Sequence, residues 1–376
     1  MSMKTKVVYV LGAGFSIEAG APSQERLVEK IFETYKRNPS ILSKAKMNEF
    51  EAFLKHTLHI PESLRETIPL EDIFTPLDRC IADNIAFRNL SVGELKKKRQ
   101  LIFELIGKTL QFILKSTDKD YINLFGKYLV QVAKQREKRE YVKVADPISV
   151  ITTNWDILLD NSIYNEIALR RYDAVVDYCC YISSYDKFDK TVKPGLEVLG
   201  RGGFNVKLLK LHGSLNWLNC PRCQRLYVKF NKKISLDPYN GITKRTCWHC
   251  NENFKNYPSH ELVSNLIMPT FLKDLSNPQY KLIWQNAGIE LSEARKIVFI
   301  GYSLPQADFE MRQLLSRMVD EKTEIEVVDF KNPKDKGAKF KALISSYEQF
   351  FGRDVKSYKH GASKYINSKI KPLLIS

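Results

Sequence analysis

Short apolar segments rich in β-branched residues alternate with longer amphipathic segments along much of the chain. Segments of the first kind predict buried strands. Because helical patterns separate most of them, the alternation predicts an α/β fold built on a doubly wound parallel sheet. The predicted strands are residues 7–11, 147–152, 206–211, 296–300 and 324–328.

Residues 25–146 follow a different pattern. Apolar residues recur there at helical spacing between charged residues, and no strand pattern interrupts them. The spacing predicts several helices that form an all-helical insertion between the first two strands.

In the C-terminal segment, residues 331–376, the spacing of apolar residues predicts an amphipathic helix. We interpret this segment as a tail that follows a main domain at residues 1–330. Two interpretations stay open. The apolar face packs on the main domain and leaves a solvated basic face, or the segment binds a partner. The apolar residues at i, i+3, i+4, i+7 and i+11 are Phe340, Leu343, Ile344, Tyr347 and Phe351.

The composition is that of a globular protein. The 376 residues are 44% hydrophobic and 27% charged, which excludes a disordered or collagen-like chain. No apolar stretch approaches the ~20 residues needed to cross a bilayer, and the N-terminus lacks a signal-peptide pattern. The odd number of cysteines, seven, fits a reducing compartment. We therefore expect a cytoplasmic protein without a membrane partner.

The net charge of +16 is concentrated in two segments. Residues 331–376 hold 11 Lys and Arg against 3 Asp and Glu, and residues 218–256 hold 8 against 2. Two basic segments on a nearly neutral chain predict a localised anionic partner, nucleic acid among them, rather than a diffuse effect on solubility.

A glycine-rich turn follows the first predicted strand. Gly12-Ala13-Gly14 would allow backbone N–H groups to approach a pyrophosphate near the N-terminus of a helix. The third glycine of the dinucleotide-binding fingerprint is absent, because Ile17 stands at its position. The alternative is a strand-to-helix turn that only requires small residues.

Polar residues follow the next two predicted strands of the main domain. Thr153, Asn154 and Asp156 come after the second strand, where an amide and a carboxylate could bind ribose hydroxyls or water. Alternatively, Asn154 or Asp156 caps the following helix. His212 comes after the third strand. It either accepts a hydroxyl proton near neutral pH or has a structural role.

Gly301 and Ser303 follow the strand at 296–300, and Asp308 is interpreted mainly as the N-cap of the next helix. Because the carboxyl ends of parallel strands meet at one edge of a sheet, we expect the four strand-end clusters to converge on one ligand site.

Two Cys-x-x-Cys pairs, separated by 23 residues, lie within the basic segment 218–256. Four thiolates in this arrangement suit tetrahedral zinc, and a four-thiolate site leaves no open position for chemistry. We expect a small zinc ribbon with a structural metal; the alternative is four free thiols. The predicted ligands are Cys220, Cys223, Cys247 and Cys250.

The order of these motifs resembles the sirtuin superfamily. Gly-Ala-Gly-Phe-Ser at 12–16, Thr-Asn-x-Asp at 153–156, His-Gly at 212–213, the two cysteine pairs and Gly-Tyr-Ser-Leu at 301–304 follow its sequence order. The resemblance implies a Rossmann-like NAD-binding domain, with Asn154 and Asp156 in the nicotinamide pocket and His212 as the catalytic histidine. It also implies nucleotide contacts from Ala13, Gly14, Phe15, Ser16, Gly301, Ser303 and Asn332, to which we add Gly12 and Thr153 from the turns.

The chain departs from protein-deacylating sirtuins in several places. Residues 23–25 read Ser-Gln-Glu instead of Asp-Phe-Arg, and residues 267–271 read Ile-Met-Pro-Thr-Phe in place of the acyl-peptide strand. With the long insertion and its Glu-Asp-Ile-Phe at 71–74, these departures resemble bacterial sirtuin-like NAD hydrolases of anti-phage defence, including those paired with a HerA-type ATPase. Residues 71–74 could instead simply begin a capped helix. The cysteine pairs, which many such hydrolases lack, keep deacylation as an alternative.

The resemblance implies hydrolysis of the nicotinamide–ribose bond of NAD. Asn154 would hold water or the ribose 2′-hydroxyl, His212 would act as general base on a ribose hydroxyl, and Asp156 would orient Asn154 or the nicotinamide amide. An uncontrolled hydrolase would harm its host, so we expect gating by homo-oligomer assembly or a partner ATPase. The alternatives are an NAD-dependent protein deacylase and a nucleotide-sensing module without turnover.

Overall fold

The computed structural model describes residues 6–115, 119–135, 146–189, 191–230, 245–257, 260–268, 273 and 275–375. Residues 136–145 of the predicted insertion, 231–244 of the predicted zinc ribbon and 269–271 of the Ile-Met-Pro-Thr-Phe stretch lie outside the described residues. Among the helices it describes, none combines the length and the apolar character that a bilayer crossing requires.

The described strands form two sheets, one of seven strands and one of four. All five strands predicted from the sequence are present in the larger, parallel sheet, which confirms the predicted fold class. Apolar, β-branched segments suit a parallel sheet because helices cover both of its faces. In chain order, the strands are β1 (Val7–Leu11), β2 (Ile148–Thr152), β3 (Ala174–Asp177), β4 (Ile182–Ser184), β5 (Phe204–Lys210), β6 (Gly213–Asn219), β7 (Leu226–Val228), β8 (Val263–Leu266), β9 (Lys296–Ile300), β10 (Glu324–Val328) and β11 (Lys356–Tyr358).

The strand order of the larger sheet creates a crevice. The order is β11-β10-β9-β1-β2-β5-β3. From β1 the chain winds towards β2 on one side, and from β9 it winds towards β10 on the other. The neighbours β1 and β9, which pair Leu11 with Ile300 at their carboxyl ends, are therefore the point where winding reverses. Ligands of open α/β sheets bind at such switch points.

Helices cover the sheet and make up the described part of the insertion. The insertion contains α2 to α6, and α6 packs on α7 beside β2. The helices are α1 (Ala13–Ile17), α2 (Leu27–Arg37), α3 (Lys44–Ala52), α4 (Leu70–Ala82), α5 (Val92–Leu114), α6 (Asp120–Lys134), α7 (Leu158–Arg170), α8 (Gly195–Gly200), α9 (Trp248–Asn253), α10 (Pro278–Ser292), α11 (Phe309–Met318), α12 (Ala338–Phe351), α13 (Gly361–Tyr365) and α14 (Pro372–Ile375).

The smaller sheet has the order β4-β7-β6-β8, with β6 antiparallel to both β7 and β8. Its strands escape sequence-based prediction because three of the four have three or four residues, and β6 mixes apolar residues with Ser and Asn. β5 of the larger sheet ends at Lys210, and β6 begins at Gly213, directly after His212. The smaller sheet therefore begins at the carboxyl edge of the larger one.

The C-terminal segment is part of the larger sheet, which corrects the prediction of a separate helical tail at 331–376. The predicted helix is α12, and Tyr347 on its apolar face is fully buried. The chain then continues into β11, which pairs in parallel with β10. A three-residue Lys-Ser-Tyr strand carries no apolar pattern from which it could be predicted. The apolar face of α12 thus packs on the body of the protein.

One hydroxyl ties α12 to the turn that follows β9. The Tyr347 hydroxyl donates to the main-chain carbonyl of Tyr302 at 2.7 Å, in a buried position. We expect Tyr347→Phe to lower the free energy of unfolding in urea by about 1–3 kcal/mol, because a buried carbonyl loses its partner. Tyr358→Phe is the matched control, since its hydroxyl meets Ser368 at an exposed position, and we expect a change within ~0.5 kcal/mol. Equal losses in the two variants would contradict the prediction.

Candidate functional site

A cavity of about 360 Å³ lies at the carboxyl edge of the larger sheet, where β1 and β9 meet. Its volume is in the range of cofactor and small-molecule pockets. The turns after β1, β2, β5 and β9 all contribute to its lining, so the structure brings the four strand-end clusters together. The sequence-predicted site residues that line it are Ala13, Gly14, Thr153, Asn154, His212, Gly301 and Ser303.

Other predicted site residues are outside the lining. Phe15 packs edge-on against Tyr121 in the core, with ring centroids 5.7 Å apart. Asn332 is exposed, and its side chain accepts a hydrogen bond from the N–H of Lys334 at 2.9 Å. The predicted residues that do not line the cavity are Gly12, Phe15, Ser16, Asp156 and Asn332.

The glycines allow two turns to touch backbone to backbone. A Cβ on Gly14 would lie 2.6 Å from the Cα of Gly301, and one on Gly12 would lie 2.5 Å from the Gly301 oxygen. Gly301 also has φ +62°, which disfavours any side chain. The N–H of Gly14 donates to the Gly301 carbonyl at 2.9 Å. The sequence pattern assigns the N–H of Gly14 to a pyrophosphate, but this hydrogen bond already uses it. The role of these glycines is therefore to let the two turns pack closely.

Asn154 is fixed at the cavity by its amide nitrogen. Nδ2 donates to the carbonyl of Gly12 at 2.9 Å and to Oγ of Ser16 at 3.3 Å. An amide NH₂ group has two donors, and both are used here. The carbonyl oxygen Oδ1 is therefore the atom that Asn154 can offer to a ligand, as an acceptor from a hydroxyl or a water.

Asp156 supports Asn154 from behind. Its Oδ2 accepts from the Ser16 hydroxyl at 2.7 Å, which orients the serine that Asn154 contacts. Its Oδ1 accepts from the N–H of Leu158, the first residue of α7, at 3.1 Å, although the N-cap position itself belongs to Ile157. Burial raises the pKa of the Asp156 carboxyl, and the positive charge of Lys210 opposes that rise.

His212 faces a carboxylate. The imidazole is buried, and Nε2 lies 3.5 Å from Oδ1 of Asp308. Asp308 is the N-cap residue of α11, as the sequence predicts, but its side chain makes no capping hydrogen bond. Its carboxylate instead accepts from the Tyr302 hydroxyl at 2.8 Å and lies 3.0 Å from Nζ of Lys273.

The surroundings of Asp308 keep its carboxyl ionised. Burial alone would raise its pKa, but His212, Lys273 and the Tyr302 hydroxyl together hold the pKa well below its usual range. A carboxylate kept negative beside an imidazole stabilises the protonated ring. Asp308 can therefore assist His212 when that ring takes up a proton.

Three further lining residues were missed, or given no role, by sequence reasoning. Asp329 directly follows β10, so the strand-end rule that found the other clusters could have found it. Glu71 reaches the cavity from α4 of the insertion, where only the similarity of residues 71–74 drew attention to it. The Lys273 side chain is 1% exposed and pairs with Asp308 and Glu310, but no motif surrounds it in the sequence.

The four cysteines of the paired motifs form one cluster. Their sulfur atoms all lie within 4.8 Å of one another. Cys220 and Cys250 have sulfurs 3.8 Å apart, and those of Cys223 and Cys247 are 3.7 Å apart. Tetrahedral zinc with Zn–S bonds of about 2.3 Å requires sulfurs about 3.8 Å apart, so the cluster fits a structural zinc ion.

The cysteine cluster and the cavity share a strand. β6 starts next to His212 and ends at Asn219, beside the first cysteine ligand. β8 pairs with β6, and the N–H of Ile267 just beyond β8 donates to the His212 carbonyl at 3.0 Å. A metal that fixes the smaller sheet therefore also fixes the backbone of His212.

The comparisons with known proteins found similar solved structures. No protein-family model matches the chain, and no curated protein matches it. A Sir2 homologue in complex with NAD is 11% identical with a TM-score of 0.42, and the match covers 100% of this chain and 92% of that one. A Sir2 structure with an inhibitor, 2′-O-acetyl-ADP-ribose and a deacetylated peptide is 14% identical with a TM-score of 0.38, covering 99% and 95%. Because these identities and TM-scores are low, the site is interpreted from its own geometry.

We expect the purified chain to hold one zinc ion, and Cys250→Ser to reduce the zinc content measured by mass spectrometry. The thermal midpoint should fall by about 5 °C or more, because metal binding supplies much of the folding free energy of a small module. Cys180→Ser, outside the cluster, is the matched control and should keep its zinc. Full zinc content in Cys250→Ser would contradict the assignment.

Proposed function

We propose that this chain hydrolyses NAD at the bond between nicotinamide and ribose, giving nicotinamide and ADP-ribose. The observation that carries the proposal is the convergence of an asparagine acceptor and a carboxylate-paired histidine on one cavity at the switch point of the sheet. Switch-point crevices suit dinucleotides. The motif order that resembles the sirtuin superfamily supports NAD as that dinucleotide.

The reaction requires the enzyme to stabilise positive charge on the sugar. The C1′–N bond breaks with its electron pair leaving on nicotinamide, and the ribose becomes oxocarbenium-like. Asn154 positions the ribose or water through Oδ1, the free acceptor of its amide. His212 takes a proton from a ribose hydroxyl, which offsets the charge on the sugar, and Asp308 stabilises the resulting imidazolium. Asp156 acts through Ser16 as a positioning residue.

Protein deacylation is the second candidate because of the four-cysteine cluster and the edge strand beside it. β8 lies at the edge of the described part of the smaller sheet, and edge strands can pair with an extended peptide. The insertion favours hydrolysis instead, since Pro69, Leu70 and Glu71 form part of the cavity wall. A deacylase would release nicotinamide only with an acyl-lysine peptide, and it would form O-acyl-ADP-ribose.

We expect Asn154→Ala to lower the rate of nicotinamide release from NAD by at least about 100-fold, because the ribose or the water loses its positioning contact. Chromatography of the products, with no peptide present, measures the rate. Asn367→Ala is the matched control, because its amide only bonds the Ser363 carbonyl at an exposed position. An undiminished rate in Asn154→Ala, or no release by the wild type even after assembly, would contradict the proposal.

We further propose that assembly or a HerA-type ATPase partner gates the activity, in a role in anti-phage defence by NAD depletion. The C-terminal segment contacts Tyr302 in the cavity wall and Glu18, which follows the wall residue Ile17. Tyr347 binds the Tyr302 carbonyl, and the Glu18 carboxylate accepts from the N–H groups of Ala362 and Ser363 at 2.6 and 3.0 Å. A partner that displaces the basic C-terminal segment would therefore move two turns of the cavity.

Gating predicts that NAD turnover per chain changes by about tenfold or more between the isolated chain and its assembly or complex. Mass photometry and nicotinamide release, measured on the same samples, check this. We expect Glu18→Gln to reduce that ratio, because it weakens the contact between α13 and the C-terminal end of α1. Constant turnover across all assembly states would contradict gating.

A further inference from the structure

Two buried carboxylate oxygens of the cavity lining make no hydrogen bond within the described part of the chain, Oδ1 of Asp308 and Oε1 of Glu71, and only the first has an ion-pair partner. The lining contains the carboxylates of Glu25, Glu71, Asp308 and Asp329. Asp308 is engaged by Tyr302 and Lys273, Asp329 accepts from the N–H of Phe330 at 2.6 Å, and Glu25 is exposed. Oε1 of Glu71 is buried without a hydrogen bond. A buried acceptor without a partner is costly. Because Glu71 as a whole is half-buried and lines the cavity, a rotation of its carboxylate would bring this oxygen to a ligand or a water there.

The insertion places Glu71 where it can reach a ligand of the cavity. Glu71 lies in the first turn of α4, and Pro69 and Leu70 before it share the cavity wall. The neighbouring carboxylate of Asp72 is exposed. The positive charge of Lys273, which pairs with Asp308 beside His212, also acts on the Glu71 carboxyl and tends to lower its pKa. The free carboxylate and the histidine therefore belong to one cavity.

We propose that Glu71 is a catalytic residue of this site, the general base that takes a proton from the water attacking the ribose. This inference rests on the proposed hydrolysis of NAD. The water oxygen forms the new bond to C1′ as nicotinamide leaves with the electron pair of the broken bond. One water proton passes to the Glu71 carboxylate, and the product is ADP-ribose with a hydroxyl on C1′.

The half-buried carboxyl of Glu71 and the buried carboxyl of Asp308 differ in base strength. Burial and the charge of Asp72 raise the pKa of Glu71, although Lys273 opposes the rise. The pKa of Asp308 is held low by its partners, which makes it a weaker base. A base is most effective when its pKa approaches the working pH, so Glu71 is better suited to accept the proton and Asp308 to support His212.

The test compares Glu71→Gln with Glu62→Gln, which removes an exposed carboxylate of the insertion outside the cavity lining. We expect kcat of Glu71→Gln to fall by about 100-fold to 10,000-fold, the usual effect of removing a general base, with KM for NAD changed by less than about threefold. Glu62→Gln should keep kcat within about twofold. Equal thermal midpoints would show that both variants fold. A kcat near wild type in Glu71→Gln would overturn the proposal.

A second variant separates base catalysis from a structural role. Azide attacks C1′ without losing a proton, so it needs no base. We expect sodium azide to restore nicotinamide release in Glu71→Ala by at least about tenfold and to yield an azido-ADP-ribose, with little effect on wild-type turnover. An inactive Glu71→Ala that azide does not rescue would overturn the role of Glu71 as base. A wild-type enzyme that releases no nicotinamide would instead overturn the proposed function.

Discussion

The contact between two glycine-rich turns is the constraint on which the site depends. Gly12 and Gly14 after β1 meet Gly301 after β9 at distances that leave no room for a Cβ atom. This contact joins the two strands at which the winding of the sheet reverses, and it fixes the wall of the cavity there. A side chain at any of the three positions would push the turns apart, and the polar groups carried by the neighbouring strand ends would separate with them.

Two networks of hydrogen bonds and ion pairs then orient the reactive side chains. Asp156 accepts a hydrogen bond from Ser16, and Ser16 and Gly12 accept from the amide nitrogen of Asn154, which leaves the amide oxygen available to a ligand. On the other side Lys273 holds Asp308 next to His212. Pairing of this kind offsets the cost of burying a charged group. The same pairing gives the cavity an ionised carboxylate beside its histidine, which proton transfer from a hydroxyl requires.

The sequence predicts the parts of this structure that have a strong local signal. The five apolar strands of the larger sheet and the four cysteines are of this kind, since composition and spacing identify them. The polar clusters at the strand ends follow from the parallel topology alone. In contrast, β11 and β4 are too short to show a pattern, and Lys273 enters the cavity only through tertiary packing. The sequence position of Asp308 predicts correctly that it is the N-cap of α11, and only the structure shows that its carboxylate faces His212.

The most direct measurement of the central claim is a crystal structure of the chain with ADP-ribose bound. The account predicts density for the dinucleotide along the crevice between β1 and β9, with C1′ of the terminal ribose next to Asn154 and His212. Density for ADP-ribose elsewhere on the molecule, or a ribose outside contact distance of both residues, would contradict it.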